Sequence, residues 1–336
     1  MKVAILSPVA WRTPPRQYGP WEAVTSNLAE CLVEKGMDVT LFATGDSITQ
    51  AKLASCCEHP YAEDPEADAK VCECLHISNL FEKAGQFDLI HNHFDFLPLT
   101  YSLMIDTPLL TTIHGFSSPR IVPVYKKYNE TSHYVSISHA NRHPDLDYIA
   151  TVYNGIDTHA FTWVESPGDY LLYFGRIHPE KGTREAIDLA IRCNMKLVIA
   201  GPVQDAAYFE TQVRPFVDGD KITFAGNCGP AERDSLLGNA LALVHLILFD
   251  EPFGLSVAEA MCCGTPVIAF NRGAMEELIL DGRTGFLVDT MDQAVDAVHQ
   301  IKKINRMDCR NRAGQMFSKE KMTADYIRVY DQILHG

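Results

Sequence analysis

The chain has 336 residues, 46% hydrophobic and 21% charged, with 43 acidic against 29 basic side chains and a formal net charge of -14. That balance argues against nucleic acid, which rewards basic patches, and against docking on anionic membranes, which needs Lys/Arg clusters. No apolar run approaches the roughly 20 residues that cross a bilayer, and the length exceeds one ordinary core, so a two-domain, soluble, cytoplasmic enzyme is expected.

The N-terminal stretch Met1-Lys2-Val3-Ala4-Ile5-Leu6-Ser7-Pro8 is too short in its apolar part for a signal peptide and reads as a buried strand over 2–7. A helix from Trp21 to Glu34 follows, with Val24, Leu28, Cys31 and Leu32 on one face and Gly36 at its C-terminal end. Further strands are expected at 38–43, 87–91, 108–113, 133–137 and 149–153. Residues 44–70, rich in Ala, Glu and Asp without clear periodicity, read as a surface loop. Turn formers at Asn154-Gly155 and Ser166-Pro167-Gly168 mark the connection to a second series. That series has apolar runs starting at Asp169, Lys196, Ile222, Leu241 and Pro266, each followed by a helical stretch. The alternation signals parallel βαβ units and an α/β fold of two Rossmann-like domains, whose ligands lie beyond the C-terminal strand ends. The amphipathic segment from Lys319 to Leu334 is expected to pack back on the first domain. The ten cysteines show no repeated two-residue gap of a zinc site, so reduced, mostly buried thiols are expected.

Two stretches carry chemistry. Glu251-Pro-Phe-Gly-Leu-Ser-Val-Ala-Glu259 sets two carboxylates around a glycine turn that opens a helix, whose first amides lack internal partners and attract anionic or hydroxyl oxygens. An acid-rich helix start is the plainer account of it. Gly175-Arg176-Ile-His-Pro-Glu-Lys181-Gly182 sets two cations on a loop between a strand end and a helix start, as a diphosphate clamp requires. Solvated surface cations would be the plainer account there. No Gly-x-Gly-x-x-Gly follows a strand and no Gly-x4-Gly-Lys-[Ser/Thr] is present, which disfavours nicotinamide dehydrogenases and P-loop NTPases. A retaining glycosidase would need its two carboxyls about 5 Å apart, whereas eight helical residues rise about 12 Å, so Glu251 and Glu259 suit two ends of one extended ligand.

Together, Gly-Arg-x4-Lys-Gly and the Glu-x7-Glu segment with Pro-Phe-Gly-Leu inside it resemble the retaining family 4 glycosyltransferases of the GT-B fold. Asn154-Gly155-Ile156-Asp157, Gly264-Thr-Pro-Val-Ile-Ala269 and Gly282-Arg-Thr-Gly-Phe-Leu-Val288 extend the likeness, which is close in the second half and loose in the first. It implies two Rossmann-like domains facing a central cleft. The acceptor-side domain would span 1–155, with about 319–336 packed on it, and the donor domain 156–318. It implies that Arg176 and Lys181 hold the donor diphosphate, Glu259 the ribose and Glu251 the sugar. The amides of Phe253, Gly254 and Leu255 would surround sugar hydroxyls and phosphate. Gln17-Tyr18-Gly19-Pro20-Trp21-Glu22 occupies the place of the family's Gly-Gly-x-Glu loop, where Gly19 lets donor phosphate or acceptor come close. Pro20 departs from that pattern and lacks an N–H, though it suits a first helical turn. His114, at a strand end, takes the position of the family's histidine beside the transferred sugar.

Trp11, Arg12, Tyr18 and His93 are candidates for an acceptor wall, and Ser138, His139 and Arg142 are weaker ones of the same kind. His91 and His93 project to one side of a strand as a metal pair could. The resemblance instead implies a diphosphate handled without metal, and no cofactor is expected. The implied activity is retaining transfer of a sugar from a nucleoside-diphosphate sugar to an acceptor hydroxyl, and the acidic first domain favours a small soluble acceptor over an anionic lipid. UDP-glucose is the expected donor, ahead of GDP-mannose and UDP-N-acetylglucosamine. A nucleotide-sugar epimerase of the same fold and a non-catalytic nucleotide-sugar binding protein are the alternatives.

Overall fold

A computed structural model describes residues 1–116 and 118–336. The chain forms two compact units, Met1–Gly155 with Lys319–Gly336, and Ile156–Ser318. The first contains β1 (Lys2–Leu6), α1 (Pro20–Glu34), β2 (Asp38–Phe42), β3 (Lys52–Ala54), α2 (Ala69–Phe81), β4 (Leu89–Asn92), β5 (Leu109–Ile113), α3 (Val122–Lys127), β6 (His133–Ser136) and β7 (Ala150–Thr151). Its seven strands are all parallel, in the order β3-β2-β1-β4-β5-β6-β7. The central strands β1, β4 and β5 are buried almost end to end, as in a parallel sheet covered on both faces. Pro20 stands in the first turn of α1, and Gly36 just beyond its end takes φ +81°. Val24, Leu28, Cys31 and Leu32 are all buried. The C-terminal helix, Lys319–His335, packs against α1 and buries Met322, Tyr326, Val329 and Tyr330, a stripe at helical spacing.

The 44–70 segment is not loop throughout. Lys52–Ala54 pairs with β2 at the sheet edge, and Asp68 caps α2 by accepting the amides of Lys70 and Val71. An exposed edge strand of three residues shows neither apolar continuity nor alternation, so periodicity passes over it.

The second unit contains β8 (Tyr170–Phe174), α4 (Thr183–Cys193), β9 (Lys196–Ala200), α5 (Ala206–Tyr208), β10 (Ile222–Gly226), α6 (Pro230–Asn239), β11 (Ala242–His245), α7 (Leu255–Cys262), β12 (Val267–Phe270), α8 (Met275–Leu278), β13 (Gly285–Val288), α9 (Met291–Gln300) and α10 (Arg306–Met316). Its parallel sheet runs β10-β9-β8-β11-β12-β13. The end of the Gly282–Val288 stretch supplies the edge strand β13. In each sheet the winding reverses once, between β1 and β4 and between β8 and β11. Such switch points open a crevice beyond the carboxyl ends of the strands, where α/β sheets bind ligands. Among the described residues no helix is long and apolar enough to cross a membrane.

Candidate active site

In the second unit the chemistry-bearing stretches leave the two strands that flank the switch point. Arg176 and Lys181 lie on the turn after β8, and Glu251 lies after β11. Gly182 lets them meet. It has φ +74°, and a Cβ there would stand 1.9 Å from the carbonyl oxygen of Leu246, so the turn after β8 lies directly on the chain leaving β11. The Leu248 N–H donates to the Glu180 carbonyl across the same seam at 2.8 Å. Lys181 Nζ donates to Glu251 Oε2 at 2.8 Å and sits 4.5 Å from the Phe249 ring centroid. His245 Nε2, at the end of β11, is 3.7 Å from the same carboxylate oxygen. Burial pushes the Glu251 carboxyl up, but His245 and Lys181 outweigh it and hold it down at about 2. Arg176 does not join this pair; it donates instead to the side chain of Gln204, in the loop after β9.

Gly254, with φ +99°, turns the chain into α7, and a Cβ on it would lie 2.8 Å from Met275 Cε. The first internal amide bonds of α7 are those of Val257 and Ala258 to the Gly254 carbonyl, so the Leu255 amide lies ahead of them at the helix N-terminus. Phe253 is buried against Phe317, which leaves its backbone, and not its ring, as the part a ligand can use. Glu259 is 9% exposed and faces Arg233 Nη1 at 3.2 Å. Burial raises its carboxyl, with Arg233 opposing.

In the first unit, the Gly19 loop follows β1 and His93 follows β4, the two strands that flank the switch point, while His114 follows the neighbouring β5. Trp11 and Tyr18 meet edge to face at 6.2 Å, and Arg12 Nε donates to the Pro14 carbonyl. All three are half-buried. Glu22, buried at the start of α1, accepts the Trp11 N–H at 3.3 Å and so ties this loop to the helix. Burial lifts its carboxyl to about 7, against hydrogen bonds from its own amide and that of Trp11. The Trp21 ring stacks on His114 at 5.3 Å. His114 is 6% exposed, and its Nε2 is 2.9 Å from His93 Nδ1. Burial holds His114 down at about 3, so it is neutral at physiological pH.

His93 corrects one expectation. It is fully buried behind His114 and lines no open surface, because its backbone is drawn into the sheet by the Leu6 carbonyl. The two ring nitrogens of His91 are taken by Tyr330 and Thr112 rather than held open for a metal. Ser138 is buried and caps Asn141, and Arg142 bonds Thr151 and covers the Tyr148 ring. Among the described residues no three His, Cys, Asp or Glu side chains stand together as a metal-binding group, and all ten cysteines are free.

Sequence reasoning missed Gln204, Arg233, His245, and the roles of Trp21 and Glu22. Only two of these carried a signal: His245 ends a strand beside a switch point, and Glu22 closes the Gly19 loop.

Comparison with known proteins agrees with this architecture. The family model "Glycosyltransferase Family 4" matches residues 22–160, and "Glycosyl transferases group 1" matches residues 159–316. A D-inositol 3-phosphate glycosyltransferase of Paenarthrobacter aurescens is 27% identical over 325 residues, covering 78% of each chain. A glycogen synthase of Mycobacterium tuberculosis is 29% identical over 193 residues, which cover 54% of this chain and 46% of that protein. Among solved structures, sucrose-phosphate synthase from Thermosynechococcus elongatus superposes with a TM-score of 0.80 at 20% identity, covering 99% of both chains. Anabaena HepE in complex with UDP and glucose superposes with a TM-score of 0.76 at 18% identity, covering 99% of this chain and 100% of that one. With two tandem family matches on two Rossmann-like units, the chain belongs to the family 4 type of glycosyltransferases, has the GT-B fold and uses a nucleotide-sugar donor.

Proposed function

We propose that the protein is a retaining hexosyltransferase that moves glucose from UDP-glucose to a hydroxyl of a small soluble acceptor. The observation that carries the reading is the Lys181–Glu251 pair beside the N-terminus of α7, at the switch point of the second unit. A cation, a carboxylate and helix-terminal amides in one place match a sugar diphosphate: cation for phosphate, carboxylate for sugar hydroxyls, amides for either.

In this reading the Ile156–Ser318 unit is the donor domain. Arg176 and Lys181 hold the diphosphate and stabilise the charge that grows on it as the sugar–phosphate bond breaks. Glu251 accepts hydrogen bonds from the sugar, Glu259 accepts them from the ribose, and the amides of Phe253, Gly254 and Leu255 surround hydroxyl and phosphate oxygens. The Met1–Gly155 unit, with the C-terminal helix, serves the acceptor. Gly19 allows close approach, His114 lies beside the transferred sugar, and Trp11, Arg12 and Tyr18 contact the acceptor. The acceptor oxygen attacks the anomeric carbon on the face the diphosphate leaves, and its proton passes to a departing phosphate oxygen. Configuration is retained without a protein nucleophile, a metal or a cofactor. The acidic composition favours a soluble acceptor in the cytoplasm, and the relative named for D-inositol 3-phosphate points the same way. The name of the HepE complex with UDP-glucose points to the donor.

Calorimetric titration with UDP-, GDP- and ADP-sugars, with and without EDTA, tests this reading. Micromolar binding of UDP-glucose that EDTA leaves unchanged, and that Arg176→Ala and Lys181→Ala each weaken, is the expected result. Conversion of free donor to another sugar nucleotide would make the protein an epimerase. Binding of the donor with no product from any acceptor in a polyol and sugar-phosphate screen would make it a binding protein.

A further inference from the structure

Three histidines from the ends of two neighbouring strands are packed together in the first unit. His91 is fixed at both nitrogens, by Tyr330 at 2.7 Å and by Thr112 at 2.8 Å, and Thr112 is itself 2.7 Å from Tyr326. Both tyrosines belong to the C-terminal helix. The His93 ring lies 4.1 Å from that of His91, centroid to centroid, and reaches His114 through Nδ1 at 2.9 Å. Burial lowers all three, so each carries one N–H and one lone pair.

Two nitrogens are left over, His93 Nε2 and His114 Nδ1, both buried and without hydrogen-bond partners among the described residues. The shared bond fixes what they are. If His114 donates through Nε2, the stranded N–H is on His93, which is fully buried. If His93 donates through Nδ1, the stranded N–H is Nδ1 of His114, equally buried itself but on the one residue of the three that keeps any exposed surface. A buried N–H without an acceptor is costlier than an unfilled lone pair, and the N–H on the residue that keeps some exposure is the one a small movement on binding can bring to a ligand acceptor.

We propose that His93 is a positioning residue: by donating Nδ1–H to His114 Nε2 it holds His114 as the Nδ1–H tautomer, a hydrogen-bond donor to the sugar. The proposal rests on the reading of His114 as a sugar-side residue. The C-terminal helix completes the arrangement by fixing His91, against which His93 packs.

The test begins with the full-length wild-type chain labelled with 15N-histidine. Long-range 1H–15N correlation distinguishes the tautomers, and Nδ1–H on both His93 and His114 is expected. Nε2–H on His114 overturns the assignment, whatever any variant does. The second arm measures UDP release from UDP-glucose. His93→Phe, which cannot donate, should lower kcat about tenfold or more with KM for the donor little changed, and His93→Asn, whose amide can donate, should recover most of it. Equal kcat in the Phe and Asn variants overturns the positioning role. Wild-type turnover in His114→Ala would refute the sugar-side reading of His114 instead, while the tautomer remains decided by the spectra.

Discussion

Lys181 and Glu251, 70 residues apart in the chain, meet at 2.8 Å with both side chains largely buried. The cation proposed for the diphosphate and the carboxylate proposed for the sugar are therefore partners of each other. A bound diphosphate has to share the ammonium with Glu251, and the carboxylate opposes phosphate charge close by.

This gives Glu251→Gln two effects of opposite sign. The amide keeps a carbonyl for the sugar but no longer repels phosphate or holds Lys181 as an ion pair. UDP alone should bind several-fold tighter, while turnover of UDP-glucose falls tenfold or more, as for a residue acting mainly on the transition state. Calorimetry and initial rates measure the two. Weaker UDP binding in this variant would mean that Glu251 positions Lys181 and does not compete for it.

Glu22 makes stability depend on pH in a way opposite to most carboxylates. Its pKa rises from an ordinary 4.5 to about 7 on folding. Below about pH 4.5 it is protonated in both folded and unfolded chains and has no effect. As pH climbs towards 7 only the unfolded chain ionises, and the fold loses up to about 3 kcal/mol. Glu22→Gln should thus be more stable than wild type at pH 8 and nearly equal at pH 4. Urea unfolding at the two pH values checks this; a difference independent of pH would show that the Trp11 hydrogen bond outweighs ionisation.

What was legible in the sequence follows from what sequence periodicity encodes. Buried parallel strands such as Val3–Leu6 and Val267–Phe270 are continuous apolar runs, so they and the βαβ order were readable. The edge strand Lys52–Ala54 was not, because exposure removes the pattern. Motif spacing gave Arg176, Lys181, Glu251 and Glu259 as candidates but not their pairing. That Lys181 meets Glu251 follows from β8 lying beside β11, and that Arg176 turns to Gln204 from β9 on the other side of β8, while Arg233 reaches Glu259 from α6. His93 was misread for a related reason. A strand-end histidine looks the same in sequence whether it faces solvent or, as here, backs another histidine.

Arg233 is the cation that Glu259 faces, and the carboxylate is nearly inaccessible to water. Arg233→Met leaves a buried carboxylate uncompensated, which costs about 3 kcal/mol unless it takes up a proton. The expected outcome is a lower melting temperature and UDP affinity reduced about tenfold. In Arg233→Met/Glu259→Gln the stability should largely return, because no unpaired charge remains, while UDP affinity should not. A double-mutant cycle on unfolding free energy reads the coupling; additive losses would show that the two groups do not interact.

Gly182 lets the turn after β8 lie against the chain leaving β11, and its contribution can be separated into two parts. Its φ of +74° disfavours any side chain, and its missing Cβ leaves room for the Leu246 carbonyl 1.9 Å away. Gly36 has nearly the same φ, +81°, with nothing within 4 Å of the Cβ position. Gly36→Ala should therefore cost only the conformational penalty, about 1–2 kcal/mol. Gly182→Ala adds a collision with rigid backbone and should cost roughly 3 kcal/mol or more, since relief requires the turn to lift off the chain after β11. Lifting that turn moves Lys181 away from Glu251, so UDP binding should fail in Gly182→Ala under conditions where the variant is still folded, and persist in Gly36→Ala. Similar losses of stability in the two variants, with UDP affinity intact in both, would mean that the close approach at Leu246 is not what fixes the clamp.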